Sequence, residues 1–238
     1  MLKRYVIIVA AGKGSRMQAP VPKQFLRLAG KPVLLHSILA FHQFDPMAKI
    51  ILVLPGDQLQ QWEKLVKEFD VLIPCEITGG GDTRFESVKN GLALIPENEN
   101  AIVAIHDAVR PLVAQKTISA SFKAAERYGN AVPAIPLNDS IRQIESSRSV
   151  AVDRSKYCLI QTPQCFEVGL LKKAYAQEYK FTFTDDAGVI EALGEQIHLV
   201  DGNPDNFKLT TPTDLVLAEA ILKMRSQFVP DVSGGTHP

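Results

Sequence analysis

Tyr5-Val6-Ile7-Ile8-Val9-Ala10-Ala11-Gly12-Lys13-Gly14-Ser15-Arg16-Met17 reads as an apolar strand that runs directly into a small-residue, basic loop. The run from Tyr5 to Ala10 shows no polar alternation, the pattern of a parallel strand covered on both faces. Similar runs recur at Ile50–Leu54, Ala101–Ile105 and Ala131–Ile135. Amphipathic segments separate them. Val33–Phe44 follows Pro32; Leu59, Trp62, Leu65, Val66 and Phe69 keep helical spacing after an Asp57 cap; Ile118, Phe122 and Ala125 do so before Gly129. Strand and helix in alternation predict an α/β fold: a Rossmann-like, mostly parallel twisted sheet flanked by helices, with right-handed crossovers.

The pattern changes after Pro136. Ser140–Ile144 and Val150–Val152 flank the polar turn Glu145-Ser146-Ser147-Arg148-Ser149 and predict a hairpin, a β-arm over about 137–155. Beyond it come a strand at Tyr157–Gln161, helices at Val168–Glu178 and Asp186–Leu193, a strand at Ile197–Val200 and a last helix from Pro212 to about Met224. The chain is thus expected to form one domain over residues 1–229, with a disordered Gly/Pro/polar tail at 230–238.

Composition narrows the function classes. The 238 residues balance 26 Lys plus Arg against 26 Asp plus Glu, so neither nucleic acid nor an anionic membrane is an expected partner of the whole surface. At 46% hydrophobic and 22% charged, the chain is that of a folded protein. Cys75, Cys158 and Cys165 show neither a C-x-x-C pair nor zinc-ligand spacing, which predicts packed thiols in a reducing compartment. No apolar run reaches a membrane span or makes a signal peptide, and the glycines and prolines of the first loop would break a transit helix. A cytoplasmic location is expected.

Charge placement says more than charge total. The first acid is Asp45, and before it stand Lys3, Arg4, Lys13, Arg16, Lys23, Arg27 and Lys31. An acid-free, basic stretch around Gly12 and Gly14 points to an anion held on backbone N–H groups. Met17 occupies the third small position of a dinucleotide fingerprint, and no Gly-Lys-Ser/Thr ending makes a P-loop, so a dehydrogenase and a P-loop ATPase are both demoted. Taken alone, Gly12 and Gly14 could mark only a turn leaving a strand. Pro22-Lys23-Gln24, in the same stretch, tips the reading toward phosphate.

The chain resembles the cytidylyltransferases that make 4-diphosphocytidyl-2-C-methyl-D-erythritol from CTP and 2-C-methyl-D-erythritol 4-phosphate in the non-mevalonate isoprenoid pathway. The resemblance rests on Ala10-Ala11-Gly12-Lys13-Gly14-Ser15-Arg16-Met17, Pro22-Lys23-Gln24, Gly80-Gly81-Asp82-Thr83-Arg84 with Ser87-Val88, and His106-Asp107-Ala108-Val109-Arg110-Pro111. It continues through Val152-Asp153-Arg154, Thr162-Pro163-Gln164, Thr184-Asp185-Asp186-Ala187 and Asp205-Asn206-Phe207-Lys208-Leu209-Thr210. These span roughly Ile7 to Ala220 in the family's order.

The chemistry stands beside the likeness. Joining a nucleoside triphosphate to a sugar phosphate brings two polyanions together, so cations must offset repulsion and the charge that builds on the α-phosphoryl oxygens. No protein nucleophile is needed. The resemblance makes Arg16 and Lys23 the transition-state stabilisers. By the same likeness, Arg154 and Lys208 position the attacking phosphate, and Arg110, Ser140, Thr184 and Thr210 bind substrate. Ser140 stands where family members usually carry Thr, and its hydroxyl can still donate. Ala10, Ala11, Gly12, Gly14, Gly81, Asp82 and Ser87 are expected to form the nucleotide pocket; the bland reading of Asp82 is a cap for the Arg84–Ala93 helix.

Asp107 ends a strand and could coordinate Mg2+, contact a hydroxyl or organise Arg110. A divalent cation is expected with a triphosphate in any case. His106, like His36, His42 and His198, is expected to be a packed residue rather than a base, since the attacking phosphate is already ionised near neutral pH. The β-arm, by resemblance, exchanges with a second subunit in a homodimer. A ribitol 5-phosphate cytidylyltransferase shares the nucleotide half of this reading. A noncatalytic nucleotide-binding regulator predicts CTP binding without pyrophosphate release, and a glycosyltransferase leaves Lys23, Arg154 and Lys208 without a common purpose.

Overall fold

The computed structural model describes residues 2–12 and 21–227; Lys13, Gly14, Arg16 and the expected tail at 230–238 lie outside them. In chain order the elements are β1 (Lys3–Val9), a small hairpin of β2 (Arg27–Leu28) and β3 (Lys31–Pro32), α1 (Val33–Phe44), β4 (Lys49–Leu54), α2 (Leu59–Glu68) and β5 (Cys75–Gly79). Then follow α3 (Arg84–Ala93), β6 (Ala101–Asp107), α4 (Gln115–Tyr128), β7 (Asn130–Pro136), β8 (Arg142–Glu145) and β9 (Arg148–Ala151). The last are β10 (Cys158–Ile160), β11 (Gln164–Glu167), α5 (Val168–Tyr175), α6 (Asp186–Glu191), β12 (Leu199–Asp201) and α7 (Pro212–Gln227).

β1 is central, parallel to both β6 and β4, and β4 is parallel to β5 at the edge. β11 runs antiparallel between β6 and β7, β10 pairs antiparallel with β7, and β12 joins β7 in parallel. The sheet is therefore parallel throughout its β5-β4-β1-β6 half and mixed beyond.

Apolar residues on alternate faces of each central strand explain the continuous hydrophobic runs. Val6, Ile8, Ile50, Leu52 and Ile102 pack with α1, α2 and α4 side chains such as Ile38, Trp62 and Phe122 on one face. Tyr5, Ile7, Ile51, Val53 and Val103 pack on the other against Val88 and Leu92 of α3 and Leu171 of α5. Burying both faces removes apolar area from water at roughly 25 cal/mol per Å2, the main term holding such a layered fold together. A third, smaller cluster, Leu28, Val33, Val109, Leu112, Leu209 and Ala218, fastens α7.

Local details differ from the sequence reading. The α2 N-cap is Gln58, and Asp57 lies in the preceding 3-10 turn without capping it. α3 is capped by Thr83, whose hydroxyl accepts from Glu86 N while the Glu86 carboxylate accepts from Thr83 N, so Asp82 is left in the loop. The arm closes more tightly than expected: Glu145 pairs with Arg148, so only Ser146 and Ser147 make the turn, with Ser146 at φ 50. β11 is a strand that the sequence reading lacked. α5 and α6 end earlier than expected, at Tyr175 and Glu191.

Candidate active site

The C-terminal ends of β1, β6 and β5 open onto one cleft of about 380 Å3. Ligands of open α/β sheets lie at such strand ends. Ala10, Ala11 and Gly12 leave β1 along one wall; Gly81, Asp82, Thr83, Arg84 and Ser87 follow β5 and enter α3 on another. Lys23, Asp107 and Lys208 complete the ring. Lys23 and Lys208, separated by most of the chain, thus share a cleft with the small-residue loop.

The two loops are locked to each other and to the sheet. Ala10 N donates to Val53 O at 2.9 Å and Gly80 N to Leu54 O at 2.9 Å. A Cβ on Gly80 would lie 2.4 Å from Ala11 Cβ, and one on Gly81 would lie 2.3 Å from Glu86 Cβ, so both positions require glycine for the approach. Ser87 Oγ accepts from Gly81 N at 3.1 Å and donates to Thr83 O at 2.9 Å, which shapes the turn at the mouth of α3.

Asp107 is the electrostatic hub. Its Oδ2 lies 3.1 Å from Lys208 Nζ and 3.3 Å from Arg110 Nε, and its Oδ1 lies 3.5 Å from Arg84 Nε. Burial alone would raise the Asp107 pKa, but Arg84, Lys208 and Arg110 outweigh it and hold the carboxyl well below the usual range. Arg110 is itself held by donating to Asn206 O at 2.8 Å. Burial likewise works against the Arg84 charge, yet Asp186 and Asp107 more than restore it and raise its pKa well above normal.

His106 is wired as a neutral ring. Thr162 Oγ1 accepts from Asp107 N at 3.1 Å and donates to His106 Nδ1 at 3.0 Å, which leaves His106 Nε2 to donate to Arg110 O at 3.1 Å. Burial lowers the His106 pKa to about 4, with the opposing pull of Asp107 too weak to cancel it. A packed, neutral histidine agrees with the sequence reading.

Of the predicted site residues, the structure brings together Ala10, Ala11, Gly12, Lys23, Gly81, Asp82, Ser87, Asp107 and Lys208, with Arg110 behind Asp107. Gly14 and Arg16 lie outside the described residues. Ser140, Arg154 and Thr184 are exposed and do not line this cleft; Arg154 donates to Asn138 O at the base of the arm. The Thr210 hydroxyl donates to Asp214 Oδ2 at 2.9 Å, a contact at the start of α7. Gln24 and Arg84 line the cleft although sequence reasoning gave them no role there. Both stood in quoted motifs, Pro22-Lys23-Gln24 and Gly80-Gly81-Asp82-Thr83-Arg84, which was the available signal. Asp186 stood in one too, Thr184-Asp185-Asp186-Ala187, but its pairing with Arg84, 102 positions away, had no local signal.

Lys23, Arg84 and Lys208 around a glycine-bordered loop suit a phosphate chain, and the backbone groups near Gly80 and Ser87 suit the edge of a base. The model of the family described as IspD, 2-C-methyl-D-erythritol 4-phosphate cytidylyltransferase, matches residues 5–224. A protein of that name from Bacteroides thetaiotaomicron is 46% identical over 221 residues, covering 93% of this chain and 100% of that one. Another from Bacteroides fragilis is 48% identical over 219 residues, covering 92% and 99%. Among solved structures, a 4-diphosphocytidyl-2C-methyl-D-erythritol synthase superposes with TM-score 0.78 at 29% identity over 93% of this chain and 99% of its own. The 2-C-methyl-D-erythritol 4-phosphate cytidylyltransferase of Thermus thermophilus gives 0.73 at 30% over 91% and 98%.

Proposed function

The chain belongs to the 2-C-methyl-D-erythritol 4-phosphate cytidylyltransferase family, and from that premise we propose how its cleft transfers CMP from CTP to 2-C-methyl-D-erythritol 4-phosphate. The products are 4-diphosphocytidyl-2-C-methyl-D-erythritol and pyrophosphate, a step in isoprenoid precursor synthesis. The observation that carries the reading is the convergence of Lys23 and Lys208 on one cleft beside Ala10, Ala11 and Gly12.

A phosphate oxygen of the sugar phosphate attacks the α-phosphorus of CTP. One P–O bond forms, the α–β bridging P–O bond breaks, and the electron pair leaves with pyrophosphate. Lys23, with Arg16 from the first loop, offsets the negative charge that builds on the α-phosphoryl oxygens. Backbone N–H groups of Ala11 and Gly12 hold the triphosphate, while the Gly80–Gly81 backbone and Ser87 read the cytosine edge. Lys208, oriented by Asp107, aims the incoming phosphomonoester, with Arg110 holding the same carboxylate oxygen from behind.

Mg2+ belongs to this proposal as a counter-ion of the triphosphate. Among the described residues no group of three or more His, Cys, Asp or Glu side chains is assembled to hold a metal, and the Asp107 carboxylate is shared by three cations. These residues fit an ion carried mainly by phosphate oxygens and water, with Asp107 the buried carboxylate able to complete its shell. Bound in that way, Mg2+ supplies charge neutralisation on the phosphates.

We also propose a homodimer in which the β8–β9 arm crosses to a second subunit, so that Ser140, Arg154 and Thr184 serve a sugar-phosphate pocket that one chain leaves incomplete. Among the described residues the arm's strands pair only with each other, and Ile144 on it is 75% exposed, an apolar side chain suited to cover by another chain. Among the described residues no helix is long and apolar enough to cross a membrane, and we propose a cytoplasmic enzyme.

Pyrophosphate release from CTP and Mg2+ tests the function, with methylerythritol phosphate and ribitol 5-phosphate supplied in parallel. Turnover with the first substrate is expected. Preference for ribitol 5-phosphate would reassign the polyol, and CTP binding without release would make the protein a regulator. Lys23→Ala is expected to lower kcat on the order of 100-fold or more; a rise in KM for CTP alone would contradict its assignment.

A further inference from the structure

Asp186 is fully buried at the start of α6 and stands behind the cleft. It accepts both arms of the Arg84 fork, from NH1 at 2.9 Å on Oδ1 and from NH2 at 2.6 Å on Oδ2, and Tyr175 Oη donates to its Oδ1 at 2.6 Å. A bidentate pair fixes the plane of the guanidinium as well as its position. The Nε edge of Arg84 faces Asp107 Oδ1, at 3.5 Å.

That geometry decides who holds Asp107. An arginine fork matches both oxygens of a carboxylate, whereas Lys208 offers a single ammonium. Were the fork of Arg84 unoccupied, Asp107 would be its nearest alternative carboxylate, and a bidentate pair there would compete for the Oδ2 now 3.1 Å from Lys208 and 3.3 Å from Arg110. With Asp186 pairing the fork, Asp107 keeps Oδ2 for Lys208, which lines the cleft, and for Arg110 behind it.

We propose that Asp186 is a positioning residue for cytidylyl transfer: by occupying the Arg84 fork it keeps Arg84 from capturing Asp107 and so leaves Lys208 aimed into the cleft. This rests on the role given above to Lys208. The connection runs Asp186–Arg84–Asp107–Lys208 and spans three separate elements, β6, α3 and α6, together with the Lys208 segment. A purely structural acid would only need to neutralise Arg84.

Steady-state kinetics of Asp186→Asn, Arg84→Lys and the double variant test it, with folding checked by circular dichroism and thermal melting. Asn keeps the shape of Asp but turns an NH2 group toward one arm of the fork, so Asp186→Asn is expected to lower kcat on the order of 10-fold and raise KM for methylerythritol phosphate. Lys cannot fork, so in the Arg84→Lys background the Asn substitution should add less than a twofold further loss. Tyr175→Phe, which removes a buried hydrogen bond to Asp186 but leaves the fork paired, should lower the melting temperature and leave kcat within twofold of wild type.

A folded Asp186→Asn with wild-type kcat and KM overturns the proposal, as do losses that multiply in the double variant. If Asp186→Asn does not fold, the double variant decides: a lysine has no fork with which to capture Asp107, so the double variant must fold and keep kcat and KM for the sugar phosphate within twofold of Arg84→Lys, and a larger loss or a failure to fold overturns the idea. Lys208→Ala separates the two layers of argument. Loss of turnover there with none in Asp186→Asn removes the positioning role only, whereas wild-type turnover in Lys208→Ala removes the reading on which it rests.

Discussion

The amide nitrogen of Gln24 donates to the carbonyl oxygen of Ala10 at 2.8 Å, tying the turn that carries Lys23 to the root of the phosphate loop. The same nitrogen donates to Gln58 Oε1 at 2.6 Å, so one buried amide joins β1, the Lys23 turn and the exit of β4. Gln24→Leu keeps the volume and leaves two acceptors without their donor, at about 1–3 kcal/mol for each that stays buried. The variant should melt lower and lose roughly 10-fold or more in kcat, since a displaced Lys23 no longer meets the α-phosphoryl oxygens. Melting curves and saturating kinetics check both; unchanged kcat would show that the turn holds Lys23 unaided.

Gly80 and Gly12 lie on facing loops and should respond oppositely to a methyl group. Gly80→Ala puts Cβ 2.4 Å from Ala11 Cβ and 3.3 Å from Ser87 Oγ, so the loops must part and the pocket for the base must open. KM for CTP is expected to rise on the order of 10-fold, with a lower melting temperature. At Gly12 nothing described lies within 4 Å of the added carbon, so Gly12→Ala should melt like wild type. Any loss of CTP affinity there would be a contact with the nucleotide itself. Isothermal titration with CTP distinguishes the two.

The parallel half of the fold could be read directly because its strands are apolar on both faces, and the cleft followed because small and basic residues cluster where β1 ends. β5 is only weakly marked because it is an edge strand: its Ile77 resembles a core residue, while Cys75, Glu76 and Thr78 read as loop. β11 follows Thr162-Pro163, a pair that ordinarily ends a strand, and its antiparallel place between β6 and β7 has no local signature. The Thr83–Glu86 capping box was legible as Thr-x-x-Glu and should have displaced Asp82 as the cap. The Arg84–Asp186 pair could not be found this way, since two charges 102 residues apart meet only through the completed sheet.

Acid should destabilise the protein in two windows. The unfolded chain protonates His106 below about pH 6.5, while in the folded state burial delays this to about 4, so between those values each step toward acid favours unfolding. Over the full window the loss is on the order of 3 kcal/mol. The depressed pKa of Asp107 acts below about pH 4, where the unfolded chain takes up the proton that the three cations refuse. Denaturant melts from pH 7.5 to 4.5 should show the first slope, and His106→Gln should flatten it. A His106→Gln slope equal to wild type would place the titration elsewhere. Because the ring is neutral throughout, kcat should show no His106 limb near pH 6.5.

Subunit mixing distinguishes an exchanged arm from a solvent-facing one. Lys23 lines the cleft of its own chain, whereas Arg154 is exposed at the base of the arm, beyond that cleft. If arms stay with their own subunits, a heterodimer of Lys23→Ala and Arg154→Ala chains holds one defective site of each kind and is inactive. If arms cross, one site gathers both substitutions and the other gathers the intact Lys23 and the intact Arg154, so half the sites of each heterodimer work. Co-expression with two affinity tags isolates the heterodimer. Pyrophosphate release well above that of either parent is the expected result, and none from a purified heterodimer would return Arg154 to an ordinary surface cation.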